Sequence, residues 1–377
     1  MESVINSVSC LILTALPILA SATLADAEQS PTRKVIVGGI RWDAWTEGSE
    51  WGRNLAPKQW RHRLPFYSRI VSDDEVDVRG DTQEVMDLEI AYAHAAGLDY
   101  WAYCYSLSDP SDPAKGNYGV RLHLASKRRN DMNFALILMA QGYWGPKDGF
   151  PRAVDAYVRL FREPNYQKVL DGRPLLYVFY VEKMPGYFGS EAAVKQALDL
   201  LRSKSVEAGL RPPYIAAQVF HAPLGARYVD SMGFDAISAY ASAPAQGTQE
   251  YPYQVLAKGT RDFWESCKAT GKKVIPIVSA GWDNRPRRAD AKRFEKVYGS
   301  PPSGPWFAEP TPQELADSLR SAIQWMEENP TTAEANAVII YAWNESDEGG
   351  WLVPTLHEGT ARLDAIREAL KGWRSRP

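Results

Sequence analysis

Eight times along this chain, a short and nearly continuous apolar run gives way to an amphipathic stretch. The apolar runs lie at 35–40, 98–105, 134–140, 174–181, 214–220, 234–241, 273–279 and 337–343. Their length and β-branched, aromatic content suit strands, and the lack of polar alternation suits strands covered on both faces. The helical stretches fall between them at 82–96, 120–129, 153–161, 191–208, 226–232, 253–270, 312–328 and 360–370. Thr311, Pro312 and Glu314 supply an N-cap, a first helical residue and the third position of a capping box. Strands alternating with helices imply parallel β-α-β units, and eight such units imply closure. The expected fold is α/β, a single (β/α)8 TIM barrel with elaborated βα loops over residues 28–377. An open doubly wound sheet is the competing arrangement, but no glycine-rich phosphate loop follows the first strand.

In such a barrel, function gathers at the C-terminal ends of the strands. The first strand runs into Arg41, Trp42, Asp43, Trp45 and Glu47, and the second ends in Trp101, Tyr103 and Tyr105. The third leads to Gln141, Tyr143 and Trp144, and the fourth to Tyr180 and Glu182. Gln218 and His221 follow the fifth, Tyr240 the sixth, and Gly281, Trp282, Asp283, Asn284 and Arg285 the seventh. Amides and acids bond hydroxyl groups, and rings stack on apolar faces, so this set suits a polyhydroxylated ligand. The chain's 13 Trp and 19 Tyr supply rings for such a cleft, though aromatic residues also fill cores. Asp283 is alternatively a pairing partner for Arg285 or Arg287.

The eighth strand carries the strongest chemical signal. Ala337 to Trp343 is apolar, and Asn344, Glu345, Ser346, Asp347 and Glu348 follow at once. A carboxylate placed directly after seven buried residues is costly unless it is paired or used. Two carboxyl groups flanking one bond are the common requirement for glycoside cleavage. Glu345 and Glu348 are the candidate catalytic residues, with Asp347 as an alternative to Glu348. Trp42, Asp43, Tyr103, Tyr105, Gln141, Tyr143, Tyr180, Tyr240, Trp282, Asp283 and Asn344 are the candidate substrate-binding residues.

Trp343-Asn-Glu-Ser-Asp-Glu-Gly-Gly, with Trp351, Leu352 and Pro354 after it, resembles the Asn-Glu-Trp-x-Glu-Gly signature of family 99-type glycoside hydrolases. It is most similar to the branch labelled WbsX, and Gly281-Trp-Asp-Asn-Arg-Pro-Arg287 resembles a second segment of that branch. The resemblance spans about residues 35 to 371. It implies a (β/α)8 barrel and retaining cleavage of an α-linked glycan. It also implies an unusual route, in which one Glu activates the sugar's own 2-hydroxyl to form a 1,2-anhydro intermediate and a second protonates the leaving oxygen. Matched to this chain, Glu345 is the base and Glu348 the acid. Ser346 stands where the family has Trp, and the founding members' N-terminal tyrosine pattern is missing, which bears on mannose specificity. Members of the WbsX branch have also been called glycosyltransferases. A non-catalytic carbohydrate-binding barrel and a polysaccharide glycosyltransferase are the alternatives to a hydrolase.

Residues 8–20 form an apolar run too short to span a bilayer comfortably, and small-residue triplets follow at 20–22 and 25–27. Residues 1–27 are therefore expected to be an export signal, which places the protein in the periplasm or outside the cell. No integral membrane segment is expected after its removal. The formal net charge is −3 and no basic block is present, which argues against a nucleic-acid partner. The expected partner is an oligo- or polysaccharide substrate. Cys10, Cys104 and Cys267 form no metal-binding spacing, and the five histidines are scattered, so neither metal nor cofactor is expected.

Overall fold

A computed structural model describes residues 34–107, 117–139, 150–298 and 301–374. The expected signal segment, Gln141, Tyr143 and Trp144 lie outside the described residues. Eight parallel strands form the sheet: β1 (Ile36–Arg41), β2 (Tyr100–Tyr105), β3 (Asn133–Met139), β4 (Arg173–Phe179), β5 (Tyr214–Gln218), β6 (Ala236–Ser238), β7 (Ile277–Ser279) and β8 (Ala337–Tyr341). Each of the first five pairs with its successor, and β8 pairs with both β1 and β7. Closure comes from a single interrupted run. Lys273–Val274 pairs with β6, whereas β7, three residues on, pairs with β8. Pro276 falls between the two halves. It has no N–H to give, but its carbonyl accepts from Ile339 at 3.1 Å. The sheet therefore closes into the expected (β/α)8 barrel, although the seventh run is two short pieces rather than one strand.

The helices are α1 (Gln83–Ala95), α2 (Tyr118–Ala125), α3 (Phe150–Phe161), α4 (Glu191–Glu207), α5 (Ala222–Met232), α6 (Tyr253–Ala269), α7 (Pro312–Glu328) and α8 (Ala361–Arg374). Local chemistry sets their starts. The Thr82 and Ser190 side chains cap α1 and α4, and Thr311 and Glu314 complete the capping box of α7. The helix expected at 226–232 begins earlier, at Ala222, with His221 as its N-cap residue.

Two apolar layers result. Inside the ring lie Ile40, Tyr100, Ala102, Ile137, Tyr177 and Ile339, all strand residues. Val37, Trp101, Tyr103, Tyr105, Leu136 and Val338 point the other way, into the layer shared with the helices. Gly38 is required by packing. A methyl group there would sit 2.2 Å from the Tyr100 ring, whose hydroxyl spans the barrel to that of Tyr177 at 2.7 Å. The long segment between β1 and α1 is more ordered than a plain loop. It holds a hairpin of Ser68–Ile70 with Val76–Val78 and a small core of Trp45, Leu55, Leu64 and Val78.

Candidate active site

The end of β8 delivers the two acids by an abrupt change of direction. Asn344–Glu345 pairs antiparallel with Gly350–Trp351, and Ser346–Glu348 forms one tight helical turn between them. Gly349 closes that turn at φ +85°. The exit of β7 passes so close that a Cβ on Gly281 would lie 2.1 Å from the Gly349 carbonyl. The Asp283 amide donates to the Glu348 carbonyl at 2.6 Å, tying the two loops together. Glycine at both positions is what allows the loops after β7 and β8 to touch.

One guanidinium organises the carboxylates. Arg287, on the short helix Arg285–Arg288, donates from Nη2 to Glu345 at 2.9 Å and from Nη1 to Glu348 at 2.6 Å. Its Nε and Nη2 grip both oxygens of Asp347 at 2.7 and 2.8 Å. The cation stacks against Trp42 and Trp51, with ring centroids 4.6 and 4.8 Å away. Asp347 is fully buried and also accepts from Asn54 at 2.7 Å. That side chain is committed to holding Arg287. Glu345 and Glu348 are 2% and 5% exposed, and each has a phenol as its second donor. Tyr240 donates to Glu345 at 2.5 Å, and Tyr341 donates to Glu348. Burial and the neighbouring carboxylates push both phenols well above their ordinary range, so both remain protonated donors.

Three carboxyl groups meet one cation, so full ionisation would leave two buried negative charges uncompensated. Burial, and then the charge of Glu348, push the Glu345 carboxyl up to about 8, against the pull of Arg287 and Tyr240. Near neutral pH this site therefore keeps a proton on its glutamate pair. Such a proton belongs to the pair, and its position responds to what binds beside it.

The structure separates the other sequence candidates into groups. Tyr240 and Trp42 stand at the acids, and Tyr240 is held there by stacking on Phe179 at 4.5 Å. The Trp282 ring lies 5.8 Å from that of Tyr341 and lines an adjoining 440 Å³ cleft with Phe220, His221 and Phe263. Tyr180 packs on Phe179 at 4.0 Å, with φ at +56°. Asn344 turns to the backbone: its amide holds both the N–H and the C=O of Trp42, at 2.9 and 2.7 Å. Its own carbonyl accepts from the Trp45 indole at 2.8 Å. It fixes the exit of β1 rather than facing the cleft.

Four candidates sit elsewhere for clear reasons. Tyr103 and Tyr105 lie on the helix-facing side of β2, against His123 and Tyr157. The inward residue between them is Cys104, whose Sγ is 3.1 Å from the Tyr240 hydroxyl. Asp43 accepts from the Gly119 amide at the start of α2, and burial pushes its carboxyl up to about 6 despite Arg41 nearby. Asp283 pairs with Arg63 at 2.6 Å and with Arg285 at 2.8 Å, not with Arg287. Burial would raise its carboxyl, but the two guanidiniums hold it below the ordinary range. Arg287, Tyr341, Asn54 and Trp51 are the site residues that residue-by-residue reading passed over. In the sequence Arg287 stood only as a possible partner of Asp283 and as the end of the Gly281–Arg287 segment.

Among the described residues, no group of three His, Cys, Asp or Glu side chains is placed to hold a metal ion. No helix among them is long and apolar enough to cross a membrane.

Comparison with known proteins bears on family and fold. Two solved structures of the GH99 endo-alpha-mannosidase from Bacteroides thetaiotaomicron share the architecture. One superposes with a TM-score of 0.60 at 12% identity, covering 90% of this chain and 97% of that one. The other, in complex with bis-tris-propane, gives 0.57 at 13% identity over the same shares. At such identity the likeness speaks for the barrel alone. An uncharacterized protein, WxcX, from Xanthomonas campestris pv. campestris strain B100 is 36% identical over 97 residues. That stretch is 26% of this chain and spans only 12% of the relative's length. The family described as Glycosyltransferase WbsX matches residues 126–366, well over half of the chain, including both segments that meet at Arg287. The chain belongs to that WbsX family.

Proposed function

We propose that this protein is a glycoside hydrolase that cleaves an α-linked glycan with Glu345 and Glu348 as its base and acid. The observation that carries the reading is the shared guanidinium. Two buried glutamates at the barrel mouth share one guanidinium, and burial beside Glu348 raises the Glu345 carboxyl. This reading requires Glu348 to act in its acid form at the moment of cleavage. Glu345 then loses the repulsion of its neighbour, and Arg287 and Tyr240 keep it ionised. Glu345 takes the proton of the sugar's 2-hydroxyl while that oxygen attacks C1. The bond from C1 to the leaving oxygen breaks, and Glu348 supplies the proton that oxygen needs. Water then attacks C1 and the bond from C1 to the 2-oxygen breaks; Glu348 removes the proton of the water, and Glu345 returns a proton to the 2-oxygen. A base whose pKa sits near the working pH suits this step, and each proton transfer contributes about 10²–10⁴ in rate.

The test is turnover of an α-linked glycan panel, with the product anomer followed by NMR. Glu345→Gln and Glu348→Gln should each lower turnover by about 10²–10⁴. An aryl α-glycoside with a good leaving group should rescue Glu348→Gln but not Glu345→Gln. Full activity in both variants rejects the assignment. The family's name favours a second reading, in which an acceptor sugar hydroxyl replaces water in the second step. Lengthened rather than shortened products would identify it. The reading also includes export through residues 1–27. A mature N-terminus at residue 28 outside the cytoplasm supports this, and an intact Met1 in a cytoplasmic protein counts against it.

A further inference from the structure

We propose that Asp347 is a positioning residue of the active site: it aims the Arg287 guanidinium at Glu345 and Glu348 and offsets its charge, so that Glu345 stays an effective base; this deepens the glycoside hydrolase reading above and rests on it. Asp347 shares one tight turn with Glu348, directly after Glu345, and is fully buried. Both of its oxygens are taken. Oδ1 accepts from Arg287 Nη2 at 2.8 Å, and Oδ2 accepts from Arg287 Nε and from the Asn54 amide, each at 2.7 Å. A buried carboxylate occupied on both oxygens is badly placed to meet a substrate, which separates Asp347 from Glu348 as the acid.

The first effect is geometric. Two parallel bonds along the Nε–Nη2 edge stop the guanidinium from turning about its Nε–Cζ bond. Its other N–H groups then point in fixed directions, Nη1 at Glu348 at 2.6 Å and Nη2 at Glu345 at 2.9 Å. Asp347 is braced in turn. Arg293 donates to the Asn54 side-chain oxygen, so the Asn54 nitrogen is the atom that faces Asp347. Trp51 packs on both arginines, with its ring centroid 4.8 Å from the Arg287 guanidinium and 4.9 Å from that of Arg293.

The second effect is electrostatic. A guanidinium 2.9 Å from Glu345, with nothing to offset it, would hold that carboxylate ionised and make it a weak proton acceptor. Asp347 meets the same cation along another edge, and its negative charge works against the pull of Arg287 on Glu345. The titratable groups around Glu345 are Arg287, Glu348, Asp347, the phenols of Tyr240 and Tyr341, and the Cys104 thiol. Burial pushes both phenols and the thiol well above their ordinary ranges, so these three stay neutral near pH 7. The basicity of Glu345 is therefore set by Arg287 on one side and by Asp347 and Glu348 on the other.

Glutamate isotope-labelled at the side-chain carboxyl carbon lets NMR follow the titration directly, and the signal lost in Glu345→Gln identifies Glu345. Asp347→Asn keeps the shape and removes the charge. Its Glu345 signal should titrate at least about one pH unit lower than in the parent, and Asp347→Glu should recover part of that shift. On a glycan that the parent cleaves, Asp347→Asn should move the acidic limb of kcat/KM down in pH and lower the plateau of kcat by up to about ten-fold, because the base is weaker. In the parent, the Arg287 Nε–H, identified by its loss in Arg287→Lys, should exchange with water at least about ten-fold more slowly than that of an exposed arginine. The exchange measurement needs no change at Asp347, so it decides the matter even where Asp347→Asn fails to fold. An unmoved Glu345 titration in Asp347→Asn, or free exchange at Arg287, overturns the proposal. So does a loss of turnover in Asp347→Asn that a good leaving group rescues with the titration unmoved, which would make Asp347 the acid. Titration and exchange need no substrate, so failure of the hydrolase reading, seen as full turnover in Glu345→Gln and Glu348→Gln, is read separately.

Discussion

Glu345→Gln should make the fold more stable in alkali while removing activity. In the folded chain the Glu345 carboxyl is pushed from 4.5 up to about 8. A folded-state pKa above the unfolded one means that the native state binds the proton more tightly. The stabilisation is complete below pH 4.5 and is lost as pH rises towards about 8. At 1.36 kcal/mol per pKa unit the span sets a ceiling of about 5 kcal/mol, and relaxation of the coupled pair brings the expectation to about 3 kcal/mol. Glutamine imitates the protonated acid without titrating. Its carbonyl can accept from Arg287, and its amide can donate to the Tyr240 hydroxyl, which has Cys104 as its other neighbour. An unfolding entropy of about 2.1 cal/mol/K per residue over Lys34–Pro377 gives about 0.7 kcal/mol per degree. The variant should therefore melt about 4 °C above the parent at pH 8.5 and within about a degree of it at pH 5. Thermal unfolding at the two pH values, checked by urea titration, measures this. A melting difference of the same size and sign at both would refute Glu345 as a carboxyl whose pKa is raised on folding.

Two further outcomes follow from the same contacts. Arg287→Met removes the cation that Glu345, Asp347 and Glu348 share, and should cost about 3–5 kcal/mol in urea unfolding. Because Arg287 lowers the pKa of Glu345, the base, its loss should also move the acidic limb of the kcat/KM profile upward in pH. Gly38→Ala, far from the acids, should destabilise by about 1–3 kcal/mol, because its methyl group meets the Tyr100 ring at 2.2 Å. A denaturant midpoint unchanged from the parent would contradict that packing.

The barrel was legible because parallel strands buried on both faces leave long apolar runs, and the helices between them carry their own start signals. The bounds of α7 match expectation to the residue because Thr311, Pro312 and Glu314 mark its start. That same two-sided burial hid which residues face inward. In β2 the apolar character is equal on both faces, so sequence could not tell that Tyr100, Ala102 and Cys104 line the barrel while Tyr103 and Tyr105 do not. Glu345 and Glu348 were visible because charge follows hydrophobicity so abruptly. Their partners were not: Arg287 lies 58 and 61 residues from them in the chain, and Asn54 lies 293 from Asp347. No local pattern encodes pairings over such separations. Asp283 was open between two neighbouring arginines, and the third claimant, Arg63, lies 220 residues away.

The seam between β1 and β8 also governs when the protein can begin to work. Trp42 and Asn344, which lock that seam, stand 302 residues apart. At about 5–20 residues per second, a ribosome needs about 15–60 s to make the intervening chain, and through that interval β1 waits with one edge bare. The strand that finally covers it is the one that brings Glu345 and Glu348. A nascent chain thus acquires the partner for that bare edge and its two candidate acids together, so no chain that stops short of β8 carries the assembled site.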